Sequence, residues 1–280
     1  MKLNLKDIRQ KILFMYAGYQ AETDDPASGI DWLENVADGI CTIDQGDDYF
    51  ILFRGTDPNK ASGEINYKIG HHRLPYPGVN PKIWVHTGFI DAYDVPACRD
   101  VLEAKVIAQL VKNPATKFWI IGHSQGAALA QLCALDMHYK FGNDLNLVCV
   151  AVASPMLGNS AFVKSFQSRV QNSYMIRRGI DIVELVPFWL LGFRQPSTVI
   201  HYHVRNIFSI VWNFFSGLAK MIWFKRTPIY EKYFDYFKKK TGASLGSDWY
   251  IFEDHSPFYI PQIDFETDSV KQWKNNKIKI

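Results

Sequence analysis

Residues 118–130 read FWIIGHSQGAALA. The first four form an uninterrupted apolar run, as a strand buried on both faces requires. From about residue 126 to 139 the chain is rich in Ala and Leu, which favour helix, and Gly142 offers a stop. Between these stretches lies Gly122-His123-Ser124-Gln125-Gly126, a G-x-S-x-G pattern that makes a very tight strand-to-helix turn. Glycines flank the serine because side chains there would clash in the bend. The bend pushes Ser124 out at the C-terminal edge of the sheet, at a helix N-terminus with free N–H groups and a positive dipole end. Ser124 is therefore the candidate nucleophile. The backbone N–H of Gln125 is a candidate donor to an oxyanion.

Working outward, 147–153 is another buried apolar run, and 174–178 and 198–204 are weaker strand candidates, with 248–252 the last. Upstream, 39–43 and 49–53 are short β-rich runs around Gln45-Gly46-Asp47-Asp48, which reads as a hairpin turn. Leu5, Ile8, Ile12, Met15 and Tyr16 lie near helical spacing, so an amphipathic helix is expected to open the chain. Residues 57–85 are polar and turn-rich and read as a long surface excursion. Strands alternating with helices predict an α/β fold with a mainly parallel sheet.

Composition narrows the function classes. At roughly 150 residues per domain, 280 residues make one or two domains. A hydrophobic fraction of 48% with 21% charged residues excludes disordered, collagen-like and coiled-coil chains. A net charge of +3 is too balanced for a dedicated nucleic-acid binder. Cys41, Cys98, Cys133 and Cys149 contain no C-x-x-C pair, so they read as reduced, buried thiols. Lys6, Asp7, Arg9 and Lys11 interrupt the apolar residues of the N-terminus, so no signal peptide is expected. A cytoplasmic or peripheral-membrane location is the expectation, with leaderless secretion left open.

Beyond the serine turn, the chain resembles the class 3 (fungal-type) lipases of the α/β-hydrolase superfamily. GHSQGAALA at 122–130 resembles that family's elbow and following helix. FRGT at 53–56 resembles its oxyanion-loop strand end, and VHTGFIDAY at 85–93 its His-x-Gly-Phe segment. ASPMLGNSAF at 153–162 resembles the strand and turn after the elbow helix, and DIVELVP at 181–187 the acid segment. These segments follow the family's order from residue 50 to 190. Gln125 stands where the family more often has Leu, and Ala127 where it more often has Gly. The region 57–85 lacks the family's Trp-rich amphipathic lid helix, so ordinary interfacial activation is not expected.

A serine nucleophile needs a base, and the base needs an orienting carboxylate. In α/β-hydrolases these follow in the order serine, acid, histidine. Asp144 comes too early. Asp181 follows the strand-like run 174–178 and matches the family's Asp-x-Val, with Glu184 as runner-up. For the base, His201, His203 and His255 follow Asp181. His201 and His203 share one face of a strand. His255 begins His-Ser-Pro-Phe-Tyr and lies late in the chain, as the family's catalytic histidine does, so it is the candidate, with His203 next. The resemblance implies Thr56 as the second oxyanion donor. Arg54, His86 and His123 read as structural. No cofactor is implied, and no metal, since the His201/His203 pair has no third ligand at sensible spacing.

Residues 207–242 read as a helical-hairpin insert in a single domain spanning 1–280. In 208–224, FSIVWNFFSGLAKMIWF, the polar residues Ser209, Asn213, Ser216 and Lys220 fall in one stripe roughly 60° wide. Residues 201–240 carry eight basic side chains against two acidic ones. A peripheral membrane contact through this insert is the expectation. The function expected is a serine carboxylic-ester hydrolase acting on lipid acyl esters or small esters. A phospholipase A-type hydrolase is the alternative. A catalytically idle membrane-bound interaction module is the alternative from another class.

Overall fold

The computed structural model describes residues 5–20, 30–33, 39–55, 68–76, 80–178, 181, 183–187, 189–202 and 271–273. The expected strand at 248–252 and the insert at 207–242 lie outside the described residues. Helix α1 (Leu5–Gln20) opens the chain, with Ile8, Ile12 and Met15 buried as their spacing predicts. Strand β1 (Asp31–Trp32) precedes the hairpin of β2 (Ile40–Gln45) and β3 (Asp48–Phe53). That hairpin turns through Gly46 at φ 76°, a conformation glycine adopts without a Cβ penalty.

Strand β6 (Lys117–His123) lies parallel to β3, then come β7 (Leu147–Val152), β8 (Ser173–Arg178) and β9 (Thr198–Tyr202), all parallel. Strand β10 (Lys271–Trp273) closes the sheet antiparallel to β9, giving the order β1-β2-β3-β6-β7-β8-β9-β10. The mainly parallel sheet flanked by helices is the architecture expected from the sequence. In β3 and β6, period-two alternation sends Ile51, Phe53, Phe118 and Ile120 to one core and Phe50, Leu52, Trp119 and Ile121 to the other. Helix α1 covers the second core. The first is covered by α2 (Thr87–Tyr93), α3 (Pro96–Lys112), α4 (Gln125–Phe141) and α5 (Ser160–Arg169). With both faces buried, the central strands carry no polar stripe.

The region 57–85 departs from the expected surface excursion. Its described part forms a two-stranded hairpin, β4 (His71–Arg73) with β5 (Trp84–His86). Leu74, Tyr76, Ile83 and Val85 are buried in the first core. Those four apolar residues, spaced among prolines, anchor what the polar composition suggested was free.

Candidate active site

Strand β6 runs into helix α4 with Ser124 alone between them. Ser124 has φ 56° and ψ −128°, a conformation that costs a non-glycine residue about 1–3 kcal/mol. The surroundings impose it. The Ser124 N–H donates to the Val152 carbonyl at 2.9 Å, and the Ser124 carbonyl accepts from the Ala127 N–H at 2.9 Å. A Cβ on Gly122 would stand 2.2 Å from the Gly126 carbonyl oxygen. One on Gly126 would stand 2.1 Å from the Arg54 carbonyl oxygen and 2.5 Å from that of Phe53. Both glycines are therefore required by backbone-to-backbone approach. Register agrees, since Phe53 of β3 lies beside Gly122 of β6 and both strands end level with the serine. His123 and Gln125 are buried while Ser124 is partly exposed, so the bend leaves the serine accessible and hides its neighbours.

The candidate acid lies on the same edge. Asp181 follows β8, two strands from β6, or ~10 Å across the sheet. It is 2% exposed, and its Oδ1 accepts from the Val183 N–H at 2.9 Å, which opens the 3-10 turn Val183–Leu185. Glu184, the runner-up, is also buried, but its carboxylate is ion-paired with Arg177 of β8. A carboxylate neutralised that way is committed to structure, which favours Asp181 as the group able to orient a base.

The segment after β7 ties nucleophile and acid together. Ala153 adopts φ 52°, with its N–H donating to the Ile176 carbonyl at 3.0 Å. Ser154 Oγ accepts from Gln131 Nε2 of α4 at 3.0 Å, and the Ser154 carbonyl accepts from Gln195 Nε2 at 3.2 Å. The Met156 N–H donates to the Val186 carbonyl at 2.9 Å, just past the acid. Elsewhere α4 is bolted in place by the buried Asp136, which accepts from Tyr93 Oη at 3.0 Å and Arg99 Nη2 at 3.1 Å. Such a buried charge is tolerated because it is paired and hydrogen-bonded.

Three residues read as structural behave that way. Arg54 lies 5.5 Å above the Trp32 ring, and its N–H donates to the Gly39 carbonyl at 3.1 Å. His123 is buried in the elbow. His86, fully buried, caps α2 by accepting from the Phe89 N–H through Nδ1 at 3.4 Å and stacks on the Phe89 ring at 4.2 Å. Burial lowers its pKa to about 4. Between that value and the unfolded value of about 6.5 the unfolded chain binds the extra proton, so stability falls as pH drops through this window and is unaffected above it. The expected loss is roughly 3 kcal/mol by pH 4. His86→Asn keeps an acceptor for the cap but cannot titrate. Urea melts at pH 7 and pH 4.5 are expected to show this part of the acid loss missing in the variant.

The four cysteines are buried and free, with burial pushing the Cys41, Cys98 and Cys149 thiols up to about 12. Among the described residues, no group of His, Cys, Asp and Glu is arranged to hold a metal ion, and no helix is long and apolar enough to cross a membrane. Thr56, His203 and His255 lie outside the described residues. The structure thus brings Ser124, the Gln125 N–H and Asp181 to one edge. Strand β9 ends at that edge at Tyr202, and β10 begins there, Lys271 pairing with His201.

Comparison with known proteins settles the family. The family model described as Lipase (class 3) matches residues 50–191, just over half of the chain, a span that includes Ser124, Gln125 and Asp181. The chain belongs to the class 3 lipase family. Among curated relatives, it is 33% identical over 113 residues to the secreted mono- and diacylglycerol lipase 1 of Fusarium solani, covering 40% of this chain and 32% of that protein. It is 27% identical over 126 residues to the chloroplastic phospholipase A(1) DAD1 of Arabidopsis thaliana, covering 44% of this chain and 28% of that protein. The chain thus matches about a third of the length of these relatives. A solved triacylglycerol lipase, described as having a serine-protease triad as its catalytic centre, superposes with a TM-score of 0.57 at 23% identity. The superposition covers 71% of this chain and 80% of that one. At that identity the likeness establishes the shared α/β-hydrolase fold.

Proposed function

We propose that this class 3 lipase family member hydrolyses carboxylic esters of lipids through an acyl-enzyme on Ser124. The observation that carries the reading is the strained serine, held at φ 56° between β6 and α4 by two obligatory glycines. Strain of this kind persists where the surroundings over-determine it, and it clusters at reactive residues. In the proposed cycle Ser124 Oγ attacks the ester carbonyl and gives its proton to His255. Asp181 holds that imidazole in the right tautomer. The tetrahedral oxyanion is met by the Gln125 N–H and by Thr56. The protonated histidine then passes its proton to the departing alcohol, leaving the acyl group on Ser124. Water, deprotonated by the same histidine, releases the fatty acid and restores the serine. His255 and Thr56 enter through the family resemblance and chain order, and Asp181 through its place beside the elbow.

The substrate class follows the relatives, one named for mono- and diacylglycerols and another for phospholipid. Incubation with a panel of acylglycerols and diacyl phospholipids, with fatty acid, diacylglycerol and lysophospholipid quantified, tests both readings. Fatty acid from acylglycerols is expected. Lysophospholipid as the dominant product would shift the assignment to a phospholipase A. No release from any ester, and no fluorophosphonate labelling, would leave the idle interaction module.

A further inference from the structure

Four residues beyond the Val183–Leu185 turn that follows Asp181, the chain makes a second 3-10 turn at Trp189–Leu191. Its three side chains are 55%, 76% and 49% exposed, although Phe193, two residues on, is fully buried. Contiguous exposed apolar groups of this size mark an interaction surface rather than ordinary scatter.

The turn is held from beneath. The Trp189 carbonyl accepts from the Gly192 N–H at 2.9 Å and from Arg194 Nη1 at 2.8 Å. Gly192 sits at φ 88° against the Trp84 ring, where a Cβ would come within 3.2 Å. Trp84 in turn stacks on His71 at 3.7 Å and meets Phe193 edge-on at 5.0 Å. The Arg194 N–H donates to the Gly158 carbonyl at 2.7 Å. The exposed side chains therefore project from a fixed aromatic platform and are not the tip of a loose loop.

Charge indicates what meets them. The β4–β5 hairpin that carries the platform exposes Lys68, Arg73 and Lys82, together with the apolar Ile69. Asp91, a carboxylate on the same flank, is 3.3 Å from His72 Nδ1. A convex apolar tip needs a deformable partner and not a preformed pocket. Tryptophan at the tip suits the boundary between head groups and acyl chains. Exposed cations on the hairpin that packs against the turn select anionic head groups at about 1 kcal/mol each near the surface.

We propose that the Trp189–Leu191 turn, with the cations of the adjoining hairpin, is the surface by which this protein rests on an anionic lipid bilayer. The inference rests on the ester-hydrolase reading only for its purpose, and its test is independent of catalysis. Ser124→Ala protein is sedimented with vesicles of phosphatidylcholine containing phosphatidylglycerol and with vesicles of phosphatidylcholine alone. Binding to the anionic vesicles is expected, about tenfold or more weaker on the neutral ones and weakened by about 0.5 M salt. Adding Leu190→Ser and Leu191→Ser is expected to lower vesicle affinity at least tenfold, with roughly the same melting temperature, as for exposed positions. Unchanged vesicle binding in that variant overturns the proposal, as does equal binding to neutral vesicles. A marked drop in melting temperature also overturns it, because the turn would then be core. Retained binding to an acidic peptide but not to vesicles would assign the surface to a protein partner instead. Because the serine is absent throughout, loss of the hydrolase reading leaves these outcomes standing, and their failure leaves that reading standing.

Discussion

Ser124→Ala is expected to lower kcat for a soluble short-chain ester by about 10⁴- to 10⁶-fold, the scale seen when a serine hydrolase loses its nucleophile. The effect is large because the bend leaves the serine accessible, with the Gln125 N–H adjacent and the flanking residues buried. The fold should be indifferent to the change, since the backbone bonds from Ser124 to Val152 and Ala127 do not involve the side chain. Peptide mapping after fluorophosphonate treatment should place the adduct on the peptide carrying Ser124. An adduct on another serine, or a variant that keeps more than a few per cent of the activity, defeats the assignment.

Asp181→Asn should cost about 10⁴-fold in kcat, because an amide favours the wrong tautomer of the imidazole it orients. Glu184→Gln makes the contrast that separates the two buried carboxylates. Its partner Arg177, 16% exposed, would lose its counter-charge in a largely shielded position, so stability should fall by about 1–3 kcal/mol. Activity per folded molecule should survive. Paired thermal melts and active-site titration distinguish the cases. If Glu184→Gln is stable but inactive while Asp181→Asn turns over normally, the acid is Glu184.

The elements nearest the serine were the most legible from sequence. The apolar run, the glycines and the Ala-rich stretch agree at every level, and the strand and helix fall within two residues of their expected bounds. Strands on both sides followed, because parallel strands buried on two faces leave continuous apolar runs. Helices α2 and α3 gave no such signal. In α3, Cys98, Leu102 and Val106 form the buried stripe, but the exposed Val101, Ile107 and Val111 blur it. The β4–β5 hairpin was hidden because all three β4 residues are exposed and no alternation survives. Within the site, chain order placed Asp181 and Glu184 only three positions apart. What separates them is an ion pair to Arg177 on the preceding strand, a tertiary contact that no local pattern carries. The exposed Trp189–Leu191 turn was equally silent, since nothing within the apolar run VPFWLLGF separates exposed from buried positions.

The contact between Gly126 and the end of β3 has a mechanical consequence. Where two elements meet through side chains, a rotamer change can absorb a displacement of one before the other responds. Here the carbonyls of Phe53 and Arg54 lie directly against the Cα of the second elbow glycine, with no side chain between them to yield. Strand end and nucleophile helix therefore act as a single stiff lever. A displacement of the backbone at Arg54 bears directly on Gly126, two residues from Ser124.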